Sequence, residues 1–104
     1  MIIRGGENIF PREIEDFLFT HKDIAEAQVF GIPDPKYGEI VCAWVVPSPG
    51  VALDEDTIRR FCKDNIAHFK VPAHIRIVPD LPLTVTGKPQ KFVMRDSMMA
   101  ELGL

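Results

Sequence analysis

The most constraining feature of this sequence is an unbroken apolar run, Ile-Val-Cys-Ala-Trp-Val-Val, at residues 40–46. A strand with one wet face alternates apolar and polar residues, and this run does not alternate. It therefore predicts a central strand covered on both faces, with helices packed on either side of a small sheet. A buried helix is the alternative, but the Val and Trp content and the prolines at 47 and 49 favour a strand.

Three further segments have the composition of strands. Residues 24–32 are rich in Val, Phe and Ala, and the turn-forming residues 33–38 join them to the apolar run, which predicts an antiparallel pair. Residues 74–78 alternate, which predicts a strand with one solvated face in the same sheet. Residues 2–10 contain two apolar pairs around a Gly-Gly sequence, a pattern typical of two short strands joined by a tight turn.

Three other segments predict helices. Residues 11–20 begin with proline, which favours a first turn, and carry acidic residues near the positive end of the helix dipole. Residues 54–66 begin with an aspartate, a good N-cap. Residues 90–102 resume a helical composition after a proline-rich loop, and Lys91 and Arg95, spaced i, i+4, are expected on the solvated side of this helix.

Together these elements predict an α+β fold for residues 1–104. We expect a small antiparallel sheet of about three strands plus an N-terminal two-stranded hairpin, flanked by about three helices. The 104 residues suffice for one domain with its own core, but not for a large nucleotide-binding domain as well.

Charge and residue usage exclude several classes of protein. The net charge is −3 and the basic residues are scattered, so we expect no nucleic acid as a partner. No apolar run approaches the roughly 20 residues of a transmembrane helix. The three histidines have no metal-ligand spacing, so we expect no metal site in this chain.

The two cysteines indicate the compartment. Cys42 and Cys62 lie in apolar runs without C-x-x-C spacing, which predicts buried, reduced thiols in an intracellular protein. With no signal-peptide pattern at the N-terminus, we expect a soluble protein in the cytoplasm, with an organellar matrix as the alternative.

Specific motifs occur near the two ends of the chain and in its middle. Residues 2–15 read Ile-Ile-Arg-Gly-Gly-Glu-Asn-Ile-Phe-Pro-Arg-Glu-Ile-Glu, residues 29–39 contain Val-Phe-Gly-Ile-Pro-Asp followed by Tyr-Gly-Glu, and residues 81–88 read Leu-Pro-Leu-Thr-Val-Thr-Gly-Lys. In this order and spacing they resemble the C-terminal domain of the acyl-activating, adenylate-forming (AMP-binding) enzyme superfamily over essentially all 104 residues. The Gly-Gly-Glu-Asn-Ile opening and residues 68–72, His-Phe-Lys-Val-Pro, most resemble fatty-acyl-CoA synthetases.

The resemblance implies a reaction in two steps. A carboxylate attacks the α-phosphate of ATP to give an acyl adenylate and pyrophosphate, and the thiol of CoA then displaces AMP. ATP or AMP, CoA and Mg²⁺ are the implied cofactors, held mainly by a large domain that is absent from this sequence. The resemblance places the pocket for the acyl group in that domain.

The resemblance makes Lys88 the lysine of the adenylation step. A mobile cation between an anionic nucleophile and an anionic phosphate lowers the barrier, and Gly87 frees the backbone to present the side chain. The alternative is a solvated lysine after a turn glycine, because the pair lacks the G-x-x-x-x-G-K spacing of a P-loop.

For the second step, the resemblance implies that Gly5, Gly6 and Glu7 face the pantetheine arm of CoA, and that Phe69 and Lys70 contact its nucleotide end. Val71 stands where some relatives carry arginine. A plain hairpin turn is the alternative for the glycines, and core packing is the alternative for Phe69.

The resemblance also implies partners. These are an N-terminal adenylation domain of the same chain, CoA and the acyl adenylate, with the C-terminal domain rotating between the two steps. The family's hinge lies upstream of residue 2, so we expect Met1 not to be the natural start and the isolated domain to be inactive. A free-standing, non-catalytic module that binds CoA or a protein is the alternative function.

Overall fold

The computed structural model describes residues 1–104 and confirms the predicted α+β fold with five strands and three helices. In chain order the elements are β1 (Ile2–Arg4), β2 (Glu7–Ile9), α1 (Pro11–Phe19), β3 (Ile24–Asp34), β4 (Gly38–Pro47), α2 (Glu55–Lys63), a 3-10 turn (His68–Lys70), β5 (His74–Ile77) and α3 (Lys91–Leu102). All three helices are too short to span a membrane.

One sheet contains all five strands, and β4 is its centre. Strands follow the order β2-β1-β4-β3, and β5 also pairs with β4. The long β3–β4 hairpin is antiparallel from Ile24 opposite Pro47 to Asp34 opposite Gly38. The antiparallel arrangement predicted from the sequence holds for four strands, whereas β5 runs parallel to β4. The connection through α2 explains this exception, because a crossover returns the chain to the sheet in the same direction.

Both faces of β4 are buried, as its lack of alternation predicted. Val41, Ala43 and Val45 face the larger core, which α1 and α2 cover. Cys42 and Trp44 face a smaller core, which α3 covers with two methionines. The sheet therefore lies between two helical layers.

Local residue chemistry sets the bounds of α2. The Asp54 carboxylate accepts a hydrogen bond from the Thr57 N–H at 2.7 Å, which is the predicted N-cap. This bond lowers the pKa of Asp54. The helix ends at Lys63 rather than at residue 66, and the Asn65 side chain donates to the Phe61 carbonyl at 2.8 Å, which satisfies one of the free carbonyls at that end.

The prediction that Lys91 and Arg95 lie on the solvated side of α3 was wrong. Lys91 forms an ion pair with Glu15 of α1, and the Arg95 Nε donates to the Gly31 carbonyl at 3.1 Å. Arg95 thus bonds β3, the edge strand of the sheet, directly, and Lys91 is linked to it through Glu15, whose carboxylate accepts from the Val29 N–H. Backbone groups on the outer side of an edge strand need such partners. The i, i+4 spacing placed the two residues on one face of the helix but carried no information on whether that face is exposed to solvent.

Candidate functional site: two regions at opposite ends of β4

The glycine turn between β1 and β2 has a backbone that requires glycine. Gly5 and Gly6 have φ angles of 56° and 86°, in the left-handed region that suits a tight hairpin. The Gly5 N–H donates to the Tyr37 carbonyl at 2.8 Å, and a Cβ at Gly5 would lie 3.3 Å from the Tyr37 ring. A Cβ at Gly6 would meet nothing within 4 Å, and Glu7 is exposed. The turn is therefore anchored on one side and open to solvent on the other.

Tyr37 anchors the turn and is itself held by polar contacts. The Arg4 guanidinium lies 3.9 Å from the centroid of its ring, and the Lys36 ammonium lies 5.1 Å from it. The Asp34 carboxylate accepts from the Tyr37 N–H at 2.8 Å. The sequence motifs did not indicate Arg4 and Asp34 as residues of this region. An aspartate two residues before Lys36 in a Pro-Asp-Pro turn is the signal that could have indicated Asp34.

A cleft of about 330 Å³ opens beside this turn. Arg4 and Tyr37 line one part of it, and Arg59, Lys63 and His68 line another. Three permanent cations and a histidine thus face one concave surface, with a single carboxylate, that of residue 34. Such a surface attracts phosphate groups, because a concave low-dielectric wall concentrates the potential of the charges that line it.

The segment that carries Phe69 and Lys70 borders the same cleft through its neighbours His68 and Val71. Phe69 is half-buried and packs against the larger core, as its alternative reading expected. The Lys70 ammonium forms an ion pair with Glu13 of α1 and lies 5.7 Å from the Phe69 ring centroid. A partly exposed ion pair of this kind is weak, so Lys70 can exchange Glu13 for another anion.

Lys88 lies on a hairpin that is more ordered than its proline content predicted. The Lys88 N–H donates to the Thr84 hydroxyl at 3.1 Å, and the Thr84 N–H donates to the Lys88 carbonyl at 2.8 Å. Leu83 pairs with Pro89 as an isolated bridge, and Gly87 has a φ of 87° at the turn. Thr84 is the residue of this region that sequence analysis missed. The exposed lysine therefore projects from a closed, hydrogen-bonded support.

The two regions lie at opposite ends of β4. The glycine turn contacts the strand where it begins, since Arg4 pairs with Gly38. The Lys88 hairpin lies near the end of the strand, since Gly87 and Val46 line one cleft of about 320 Å³. The eight residue steps from Gly38 to Val46, at about 3.3 Å each, put roughly 26 Å of strand between these points. The predicted site residues therefore form two separate groups, not one constellation.

Neither thiol is available for chemistry. Cys42 and Cys62 are fully buried, one in each core, and burial raises their thiol pKa to about 12 and about 11. A thiol that stays protonated is a poor nucleophile and a poor metal ligand. No group of three His, Cys, Asp or Glu side chains is placed to hold a metal ion.

A family model and curated proteins both match this chain. The family model described as "AMP-binding enzyme C-terminal domain" matches residues 13–88. Medium-chain acyl-CoA ligase ACSF2, mitochondrial, is 51% identical to this chain in Danio rerio and 47% identical in Homo sapiens. Each alignment covers 100% of this chain and 17% of the relative, so the chain spans less than a fifth of these proteins.

Solved structures show the same similarity. A Mycobacterium tuberculosis fatty acyl CoA synthetase superposes with a TM-score of 0.87 at 37% identity, over 97% of this chain and 20% of that chain. ATP-bound MatB from Rhodopseudomonas palustris superposes with a TM-score of 0.88 at 35% identity, over 93% of this chain and 19% of that chain. The chain therefore belongs to the AMP-binding enzyme C-terminal domain family.

Proposed function

We propose that this chain is the mobile C-terminal domain of an ATP-dependent acyl-CoA synthetase, which joins a carboxylic acid to CoA and releases AMP and pyrophosphate. The observation that carries the proposal is the placement of the Lys88 hairpin and the glycine turn at opposite ends of β4. Two chemically distinct regions, at points separated by roughly 26 Å of strand, suit two successive steps. The names of the relatives support a fatty acid as the substrate.

In the adenylation step, Lys88 is the catalytic residue. Its ammonium stabilises the negative charge that develops on phosphoryl oxygens as the carboxylate attacks the α-phosphate. The paired hydrogen bonds between Thr84 and Lys88 hold the backbone, so that only the flexible side chain has to be ordered when ATP is bound.

In the thioester step, the glycine turn and the cationic cleft serve CoA. Gly6 has open space around it, so the backbone can approach the narrow pantetheine arm closely. The nucleotide phosphates of CoA are anionic and fit the cations of the neighbouring cleft. Lys70 exchanges Glu13 for a CoA phosphate, and Phe69 supports this segment from the core side. Glu7, at the exposed edge of the turn, lies beside the path of the pantetheine arm.

Because the two regions lie at opposite ends of one strand, a single orientation cannot present both to one active site. We propose that the domain rotates against an N-terminal adenylation domain between the two steps, which is a hinge-type motion. The acyl adenylate, the adenine nucleotide and Mg²⁺ bind mainly in that domain. The compartment is the cytoplasm or, as the names of the mitochondrial relatives support, an organellar matrix.

The test is a Lys88→Ala variant of the ligase chain that carries this domain. We expect pyrophosphate release to fall by about 10²-fold or more, the size of effect seen when one charge-stabilising donor is removed. Thioester formation from supplied acyl adenylate stays near the unmodified rate. Lys22→Ala is the matched control, since Lys22 is another exposed lysine that forms no ion pair. Equal loss in both half-reactions would contradict the assignment of Lys88.

A second candidate is a non-catalytic module that binds CoA or a protein. The observation that favours it is that Arg4, Arg59 and Lys63 line one cleft, which suits an anionic ligand without any catalytic step. Both candidates expect the 104-residue chain alone to be inactive. The sequence that precedes these 104 residues in the natural reading frame distinguishes the two candidates. If it contains a Thr/Ser/Gly-rich phosphate-binding loop, the non-catalytic module is excluded.

A further inference from the structure

Glu15 joins three parts of the fold at the exposed edge of β3. It lies on α1, its side chain is 14% exposed, and its carboxylate accepts a hydrogen bond from the Val29 N–H at 2.9 Å. The same oxygen lies 2.7 Å from the Lys91 ammonium, at the start of α3. Because α1 and α3 cover opposite faces of the sheet, this ion pair passes around the edge of β3 and ties the two helical layers together.

A second contact fixes the same end of α3. The Arg95 Nε donates to the Gly31 carbonyl at 3.1 Å, one helical turn after Lys91. Two neighbouring side chains of α3 are thus attached to the edge strand and α1. At the far end of α3, Glu101 forms a separate ion pair with Arg76 of β5 at 3.0 Å. The helix is held at both ends, and only the first end adjoins the Lys88 hairpin.

The link from Lys91 back to Lys88 is short and stiff. Only Pro89 and Gln90 separate the two lysines, and proline has a fixed φ. The Gln90 N–H donates to the Pro82 carbonyl at 2.9 Å, which closes the base of the hairpin. Three residues span at most about 10 Å, so a displacement of the start of α3 is passed on to the backbone of Lys88.

We propose that Glu15 and Lys91 are positioning residues for the adenylation step, which hold the Lys88 hairpin in a fixed position relative to the sheet. Neither side chain touches the reacting atoms. The inference rests on the proposed function, because it gives Lys88 its role in adenylation. The thioester step uses the other end of β4 and does not depend on this ion pair.

The experiment uses the ligase chain that carries this domain and two substitutions that differ in severity. Glu15→Gln keeps an oxygen to accept from the Val29 N–H but removes the charge that attracts Lys91. Lys91→Ala removes the partner altogether, and Lys91→Arg restores a cation of similar reach. Glu101→Gln is the matched control, since it removes the charge of an ion pair on the same helix, far from the hairpin.

We expect Glu15→Gln and Lys91→Ala each to lower the kcat of pyrophosphate release about tenfold, in line with the sensitivity of catalysis to misplacement of a group. The KM for ATP and the rate of thioester formation from supplied acyl adenylate stay unchanged. Lys91→Arg recovers most of the rate. Glu101→Gln leaves adenylation at the unmodified rate even where it lowers the melting temperature by a similar amount.

A double-mutant cycle shows whether the ion pair acts through Lys88. In a Lys88→Ala background, Lys91→Ala should have no further effect, because there is no longer an ammonium to position. A further tenfold loss in that background overturns the inference, as does an equal loss with Glu101→Gln or a parallel fall in thioester formation. If Lys88→Ala is selective for adenylation and the Glu15 and Lys91 variants are not, only this inference fails. If Lys88→Ala itself is not selective, the proposed function fails with it.

Discussion

Three glycines allow the two regions to be perturbed separately at equal structural cost. Gly6 lies in the turn between β1 and β2, Gly87 lies beside Lys88, and Gly50 lies in the loop between β4 and α2. Their φ angles are 86°, 87° and 77°, and a Cβ at any of them would meet nothing within 4 Å. Alanine at each position therefore introduces the same backbone strain and no clash.

The magnitude follows from this geometry. An L-residue in the left-handed region costs roughly 1–2 kcal/mol relative to glycine. Alanine also restricts the unfolded chain, which offsets about 0.4–1 kcal/mol of that cost. The free energy of unfolding should therefore fall by about 1 kcal/mol for each of the three variants. Urea denaturation of the 104-residue chain measures this value.

The functional results should differ although the stabilities agree. In the ligase chain, Gly87→Ala should slow pyrophosphate release, because relief of the strain shifts the backbone that presents Lys88. Gly6→Ala should slow thioester formation from supplied acyl adenylate and raise the KM for CoA, because its methyl group occupies the open side of the turn. Gly50→Ala should change neither half-reaction. These rates are measured in the two half-reaction assays described for Lys88→Ala.

Three outcomes would contradict these expectations. If Gly50→Ala slows catalysis as much as the others, the effects report general destabilisation and not two separate regions. If Gly6→Ala and Gly87→Ala both slow the same half-reaction, the assignment of a different half-reaction to each end of β4 is wrong. A difference of more than about 1 kcal/mol among the three unfolding free energies would show that the loops do not carry equal strain.

The remaining predictions concern the two cores. Burial raises the thiol pKa values of Cys42 and Cys62 from 9.0 to about 12 and about 11, so the stability they contribute is fully present below pH 9 and is lost as pH rises through the folded-state values. Between pH 9 and 11, the free energy of unfolding measured with urea should fall by about 1.4 kcal/mol per pH unit for each thiol. A Cys42→Ala/Cys62→Ala variant should lack this contribution to the slope. Leu18→Ala should lower the free energy of unfolding by about 2–5 kcal/mol, because Leu18 is fully buried. The same substitution at the neighbouring Phe19, which is 45% exposed, should cost much less, and equal losses would contradict the placement of the core on one face of α1.

Most of the fold could be predicted because its signals are local. The non-alternating run in β4 predicted burial on both faces, and each face of the strand packs into one of the two cores. The proline at position 11 and the aspartate at position 54 marked the starts of α1 and α2. The direction of β5 was the exception, because its four residues alternate equally well in either direction. Only the route of the chain through α2 made it parallel.

Less of the candidate site could be predicted, because contacts between distant residues decide it. The motifs indicated Lys88 and the glycine turn, but no spacing indicated that they lie at opposite ends of β4. The ion pair of Lys70 with Glu13 spans 57 positions, and the bond from Arg95 to Gly31 spans 64. A pattern with a period of a few residues carries no information on such pairs.

By itself, the sequence determined which segments are buried, where helices begin, and which loops need glycine, since each of these depends on a residue and its near neighbours. It also carried the motifs that mark the family. The tertiary structure alone decided that Lys91 pairs with Glu15, that a cationic cleft forms beside the glycine turn, and that this turn and the Lys88 hairpin lie at opposite ends of β4. The physical reason is that an edge strand needs partners for its free backbone groups, and only the folded chain shows which side chains are close enough to supply them.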